Sequence, residues 1–187
     1  MSVGEGAART AYRPLAVLLG SVVVVAIAST WTFLGMRAVM DVGGTCAEGG
    51  PYQIAQPCPS GAWLISVAIP VLVATAMLGS YVAFRLSAPT LLLPMWAVLF
   101  GSLGWNFLEY GLGDDGPVWG WIVCGVVFEL MALPAVLVIV AGDRLVKVPR
   151  LPGQATQAPG QSVWYAAYVV LGAVGAVVGW WTFDALS

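Results

Sequence analysis

Histidine does not occur in this 187-residue chain, lysine occurs once, at Lys147, and charged residues of all kinds make up only 9% of it. The missing imidazole removes the commonest general base, a common zinc ligand and the one side chain that ordinarily titrates near neutral pH. Serine–histidine triads go with it. No nucleophile elbow, no pair of catalytic carboxylates within one segment and no cofactor motif takes its place. The expectation is therefore a non-enzymatic protein with no cofactor and no metal centre. Basic residues are too few to suggest nucleic acid: Arg144, Lys147 and Arg150 form the densest group, and anionic lipid headgroups are their expected contact.

Apolar sequence fills the space left by charge. Hydrophobic residues make up 60% of the chain and the mean hydropathy is +0.91, whereas an average soluble domain has about 25% charged residues. Such a chain has too little polar surface for water and suits lipid. Runs long enough to cross a hydrocarbon core, which takes about 20 residues in a helix, lie at 15–36, 62–84, 90–108, 118–141 and 163–183. They lack the alternation of barrel strands, and in lipid only helices or closed barrels pair every backbone group. The expected fold is all-α: a single polytopic membrane domain, a bundle of five transmembrane helices. Residues 85–89 could instead form the tip of a helical hairpin buried in one leaflet. Although Ala26-Ile27-Ala28 resembles a signal-peptidase site, the apolar run continues through Trp31, Phe33 and Met36, so it is expected to remain as a span.

Basic residues gather on the cytoplasmic side of membrane proteins. In the five-span arrangement Arg9, Arg13, Arg85, Arg144, Lys147 and Arg150 share one side, leaving only Arg37 on the other. The N-terminus is then cytoplasmic, the C-terminus extracytoplasmic, and 142–162 a cytoplasmic linker. The loop at 37–61 faces outward, where oxidation is possible, so Cys46 and Cys58 are candidates for a disulfide. Gly43, Gly44, Gly49 and Gly50 permit tight turns there, and Pro51, Pro57 and Pro59 restrict the unfolded chain. A redox-active pair is disfavoured because it would use Cys-x-x-Cys. Cys124 reads as a packing residue in the fourth span.

The loop sequence, Gly-Gly-x-Cys, then Gly-Gly-Pro-Tyr, then Pro-Cys-Pro, resembles loops of uncharacterised multi-spanning membrane proteins of actinobacteria. That resemblance covers the first two spans and their loop, implies a bacterial plasma-membrane location, and brings no activity with it.

Gly111-Leu112-Gly113-Asp114-Asp115-Gly116 fits the dinucleotide pattern G-x-G-x-x-G but stands between two spans rather than between a strand and a helix. It reads as an external turn, with a weak divalent-cation site formed with Glu109 as the minor alternative. Arg37, Asp41, Glu109, Asp114 and Asp115 make an outer charged cluster, in which Arg37 is expected to pair with Asp41 or Glu109. Gly172, Gly175 and Gly179 give the last span a small-residue face containing a Gly-x-x-x-Gly pair. This face suits close helix packing within the bundle or, alternatively, in a homo-oligomer.

Asn106 and Glu129 are the intramembrane polar residues of interest. Glu129 is the only acidic residue deep in a span, and an unpaired charge there costs several kcal/mol. Gly125 and Ala132 share its helical face, and Thr75, Ser102 or Ser29 are its expected hydrogen-bond partners. Two functions compete. One is an accessory or scaffold subunit of a membrane complex, its disulfide-braced loop meeting a membrane-protein partner. The other is a small proton- or cation-coupled transporter or channel using Glu129.

Overall fold

The computed structural model describes residues 3–44, 46, 57–113, 116–141 and 161–187, with side chains described for 12–44, 46, 57–113, 116–141 and 163–187. All regular elements among them are helices: α1 Val3–Asp41, α2 Leu64–Arg85, α3 Leu92–Gly111, α4 Trp119–Ala141 and α5 Gln161–Leu186. Helix α1 extends beyond 15–36 at both ends, because an apolar run measures hydrocarbon thickness and a helix need not stop there. Its 39 residues make a rod of roughly 58 Å against a core of about 30 Å. The added first turns contain Glu5, Ala7, Ala8 and Arg9, all good helix formers.

Four helices, α1 from Tyr12 together with α2, α4 and α5, are long and apolar enough to cross a membrane. Helix α3, which carries Asn106 and Glu109 in its last turns, is not among them, yet the directions of its neighbours require it to cross. Helices α1 and α2 are antiparallel, with Gly35 against Ile65 and Gly79 against Ser21. The same holds for α3 and α4: Gly101 faces Ala132, Gly104 faces Glu129, Leu108 faces Gly125 and Gly111 faces Ile122. Helices α1 and α3 run parallel, Phe33 meeting Asn106 and Arg37 meeting Glu109. So do α1 and α5, where Ala26 meets Gly175 and Thr30 meets Gly179. The chain thus reverses at every connection, and α3 recrosses the thickness that α2 and α4 traverse the other way.

Helix α1 is the hub, packing on α2, α3 and α5, whereas α4 packs only on α3 and α5 only on α1 among the described residues. Lipid tails are as apolar as leucine, so close approach and dispersion rather than hydrophobic expulsion hold such helices together. Small residues supply that approach. A Cβ at Gly125 would stand 2.7 Å from Leu108 Cγ and 3.0 Å from the Gly104 carbonyl oxygen. Ala28, Ala68, Leu72, Ala76 and Met95 form a buried core where α1, α2 and α3 meet. Trp31 ties α1 to α5 by donating its indole N–H to Thr182 Oγ1 at 2.9 Å and to the Gly179 carbonyl at 3.2 Å.

Cys46 and Cys58 are joined in a disulfide with their Cα atoms 4.8 Å apart, within the usual range for such bridges. The C-terminus shares this disulfide end of the bundle: a Cβ at Gly61, whose φ of +89° favours glycine, would lie 2.9 Å from both Phe183 Cζ and Ser187 Cβ. At the opposite end Ser80 Oγ accepts from Thr90 Oγ1 and from the Leu91 N–H, fixing the start of α3 on α2. Tyr168 donates to the Pro89 carbonyl at 2.9 Å. Asp114, Asp115, residues 47–56 and most of the 142–162 linker, with Arg144, Lys147 and Arg150, lie outside the described residues.

Candidate functional site

Helical spacing places Phe33, Arg37 and Asp41 along one face of α1, and Asn106, Glu109 and Tyr110 within one turn of α3. Because the two helices are parallel, these faces meet at the disulfide end. Arg37 grips both carboxylate oxygens of Glu109, with Nη2 to Oε1 at 2.9 Å. Its Nη1 also donates to Asn106 Oδ1 at 3.3 Å. Asn106 is fully buried and meets the demand that burial places on an amide by donating Nδ2–H to the Phe33 carbonyl at 3.2 Å. The guanidinium also lies over two rings, its Cζ 5.6 Å from the Phe33 centroid and 5.4 Å from that of Tyr110. Asp41 accepts the Tyr110 hydroxyl, and Trp121 of α4 stands edge-on to the Tyr110 ring.

Arg37 therefore pairs with Glu109, not Asp41. A planar guanidinium can satisfy a carboxylate with two parallel bonds, and the parallel register of α1 and α3 presents Glu109 at the right height. Beside this network lies an open recess of about 540 Å³ bounded by Arg37, Asp41, Glu109, Tyr110 and Trp121. Both sides of the Arg37 fork are already engaged, so the arrangement is a brace between helices rather than a free anion receptor. No group of three His, Cys, Asp or Glu side chains that could hold a metal occurs among the described residues.

At mid-span the Glu129 carboxyl lies over Gly104, where a Cβ would stand 2.8 Å from Oε1. The side chain is partly exposed. Ser29 Oγ has no hydrogen-bond partner, and α2, which carries Thr75, does not pack on α4 among the described residues. Ser102 instead donates to the Leu99 carbonyl at 3.0 Å. Two residues further along α4, Trp96 Nε1 donates to the Met131 carbonyl at 3.0 Å, next to the Leu130 carbonyl that Pro134 leaves without its usual donor. Of the three small residues on α5, Gly175 and Gly179 lie against α1, while a Cβ at Gly172 would meet nothing within 4 Å. Cys124 is exposed on α4 and does not fill a packing position.

No family model, curated protein or solved structure matches the chain. Its geometry is what remains to read. Tyr110 and Phe33 belong to the network but were invisible to a search for charge. Their signal was spacing: Tyr110 follows Asn106 by one helical turn, and Phe33 precedes Arg37 by one.

The Arg37 and Glu109 side chains retain 31% and 42% exposure, so solvent and headgroups screen their attraction. A double-mutant cycle of Arg37→Ala and Glu109→Ala, followed by thermal unfolding in detergent, is expected to give a coupling of about 1 kcal/mol. Strict additivity of the two losses would show that the pair contributes nothing.

Proposed function

We propose that the protein is a non-enzymatic accessory or scaffold subunit of a membrane complex in a bacterial plasma membrane. Its N-terminus is cytoplasmic, its C-terminus extracytoplasmic, and its disulfide-braced loop is offered to a partner. The observation carrying this reading is the braced platform beneath the loop. Arg37 is held by both Glu109 oxygens and by Asn106, and the Cys46–Cys58 bridge closes the chain that leaves α1. Below that platform the three-helix junction is filled by Ala28, Ala68, Leu72, Ala76 and Met95, a packing suited to rigidity rather than to a hydrated path. The bias of basic residues toward one side of the chain supports the orientation.

Purification from native membranes is expected to bring down a stoichiometric partner, and the Cys46→Ser, Cys58→Ser double variant to lose it while the helices stay folded. Glu129 favours a second reading, because a partly exposed mid-span carboxyl invites proton or cation coupling. Absence of any partner, together with solute flux in proteoliposomes that Glu129→Gln abolishes, would replace the scaffold by that transporter. Flux that persists in Glu129→Gln with an unchanged pH profile would eliminate the coupling role.

A further inference from the structure

Glu129 stands ten residues after Trp119 and twelve before Ala141, the two ends of α4, so its Cα lies about 15–18 Å from either end of the helix. A glutamate side chain cannot reach the headgroups from that depth. No hydrogen bond or ion pair to its carboxyl occurs among the described residues. None of the chain's seven basic residues lies in α3, α4 or α5, and α4 packs only on α3 among the described residues. The described helices therefore bring no cation to a side chain that is partly exposed at mid-span.

The surroundings of Glu129 along α4 are ordered by spacing. Gly125 and Ala132 are buried against α3, where they meet Leu108 and Gly101. Beside them runs a second row, Val126, Glu129, Leu133, Val136 and Val140, in steps of three, four, three and four residues. That spacing is the a and d seam of a left-handed coiled coil, the prevailing packing of transmembrane helices. The four apolar members of the row are 41% to 79% exposed, so no described helix of this chain fills the seam. A single polar residue in such a seam fixes register and choice of partner, and a charge in lipid is relieved by an opposite charge at the same depth. We propose that this face of α4 receives a transmembrane helix of a partner protein that carries a lysine or arginine at mid-membrane, paired with Glu129. A second copy of this chain would set carboxylate against carboxylate, which repels. The proposal rests on the accessory-subunit reading for the existence of a membrane partner, and it adds a contact inside the bilayer to the one at the loop.

The test is energy transfer, in phosphatidylcholine vesicles, between the full-length protein and synthetic polyleucine helices whose central residue is lysine, leucine or glutamate. The donor is carried on the free thiol of Cys124, five residues from Glu129 and so roughly 140° around α4, clear of the seam. The lysine helix is expected to associate at peptide-to-lipid ratios where the leucine and glutamate helices do not. Glu129→Gln should weaken that association about tenfold. Leu133→Trp, which obstructs the seam, should weaken it too, whereas Val127→Trp, roughly 160° from Glu129, should not. Leu133 and Val127 are both about half exposed, so neither change disturbs the fold. Failure of the lysine helix to associate overturns the proposal, as does equal association of the leucine helix or indifference to Glu129→Gln or Leu133→Trp. Energy transfer between donor- and acceptor-labelled copies of the protein alone, lost in Glu129→Gln, would assign the face to a second copy and overturn it as well. Each of these results leaves the accessory-subunit reading to its own test, the partner lost on removing the disulfide, so the two can fail separately.

Discussion

Gly175→Leu is expected to detach α5 from α1. An added Cβ at this position would lie 2.7 Å from Ala26 Cβ and 2.7 Å from the Val23 carbonyl oxygen, and the backbone of a neighbouring helix cannot step aside as a side-chain tip can. Overpacking alone costs about 1–3 kcal/mol. Separation would also break the two Trp31 bonds to Thr182 and Gly179, each worth about 0.6 kcal/mol on the average for bonds between transmembrane helices. Together these come to about 3 kcal/mol, equivalent to a fall of roughly 6–12 °C in melting temperature for a chain of this size. Besides α1, what holds α5 is the Tyr168 bond to the Pro89 carbonyl at one end and the contact of Phe183 with Gly61 at the other. Gly172→Leu, three residues away in the same stripe of small residues, should melt like the wild type. Identical melting of Gly175→Leu and wild type would show that the seam is not built as described.

Removing the disulfide is expected to have an effect of similar size. Cys46 and Cys58 are separated by 12 positions, and closing a loop of that length removes about 3 kcal/mol of chain entropy from the unfolded state in the usual model. In a Cys124→Ser background, so that no third thiol can exchange, Cys46→Ser with Cys58→Ser should lower the melting temperature, and reductant should do the same to the intact bridge. Reductant should leave the double variant unchanged. A wild-type melting temperature indifferent to reductant would remove the bridge from any account of stability.

Five apolar runs become five helices because lipid offers a chain few other ways to pair its backbone groups. Which helix meets which was harder to read. The spacing of Gly175 and Gly179 marked a contact face without naming its partner, and α1 is that partner because Val23, Ala26, Ile27 and Thr30 present a matching ridge in parallel register. Gly172 belongs to the same small-residue pattern yet borders a cavity, since a small side chain permits contact and does not compel it. The choice of Glu109 over Asp41 for Arg37 depended on the relative height of two helices far apart in sequence. Polar residues at mid-span misled for a different reason: serine and threonine in an apolar helix can satisfy themselves on the preceding turn, as Ser102 does at the Leu99 carbonyl. Ser102 therefore need not turn to Glu129.

The position of α5 has a consequence for how the protein is made. Helix α1 leaves the ribosome first and α5 last, yet they form a single seam. The hairpins α1–α2 and α3–α4 join near neighbours in the chain and can assemble as they are inserted. The flank of α1 from Val23 to Thr30 must instead wait in lipid until α5 is inserted, with the Trp31 indole N–H unpaired until Gly179 and Thr182 arrive. Closure of that seam follows the insertion of the four helices before α5, and a chain interrupted before α5 would leave the membrane with a nearly complete bundle whose central helix bears one uncovered flank, Val23, Ala26, Ile27 and Thr30.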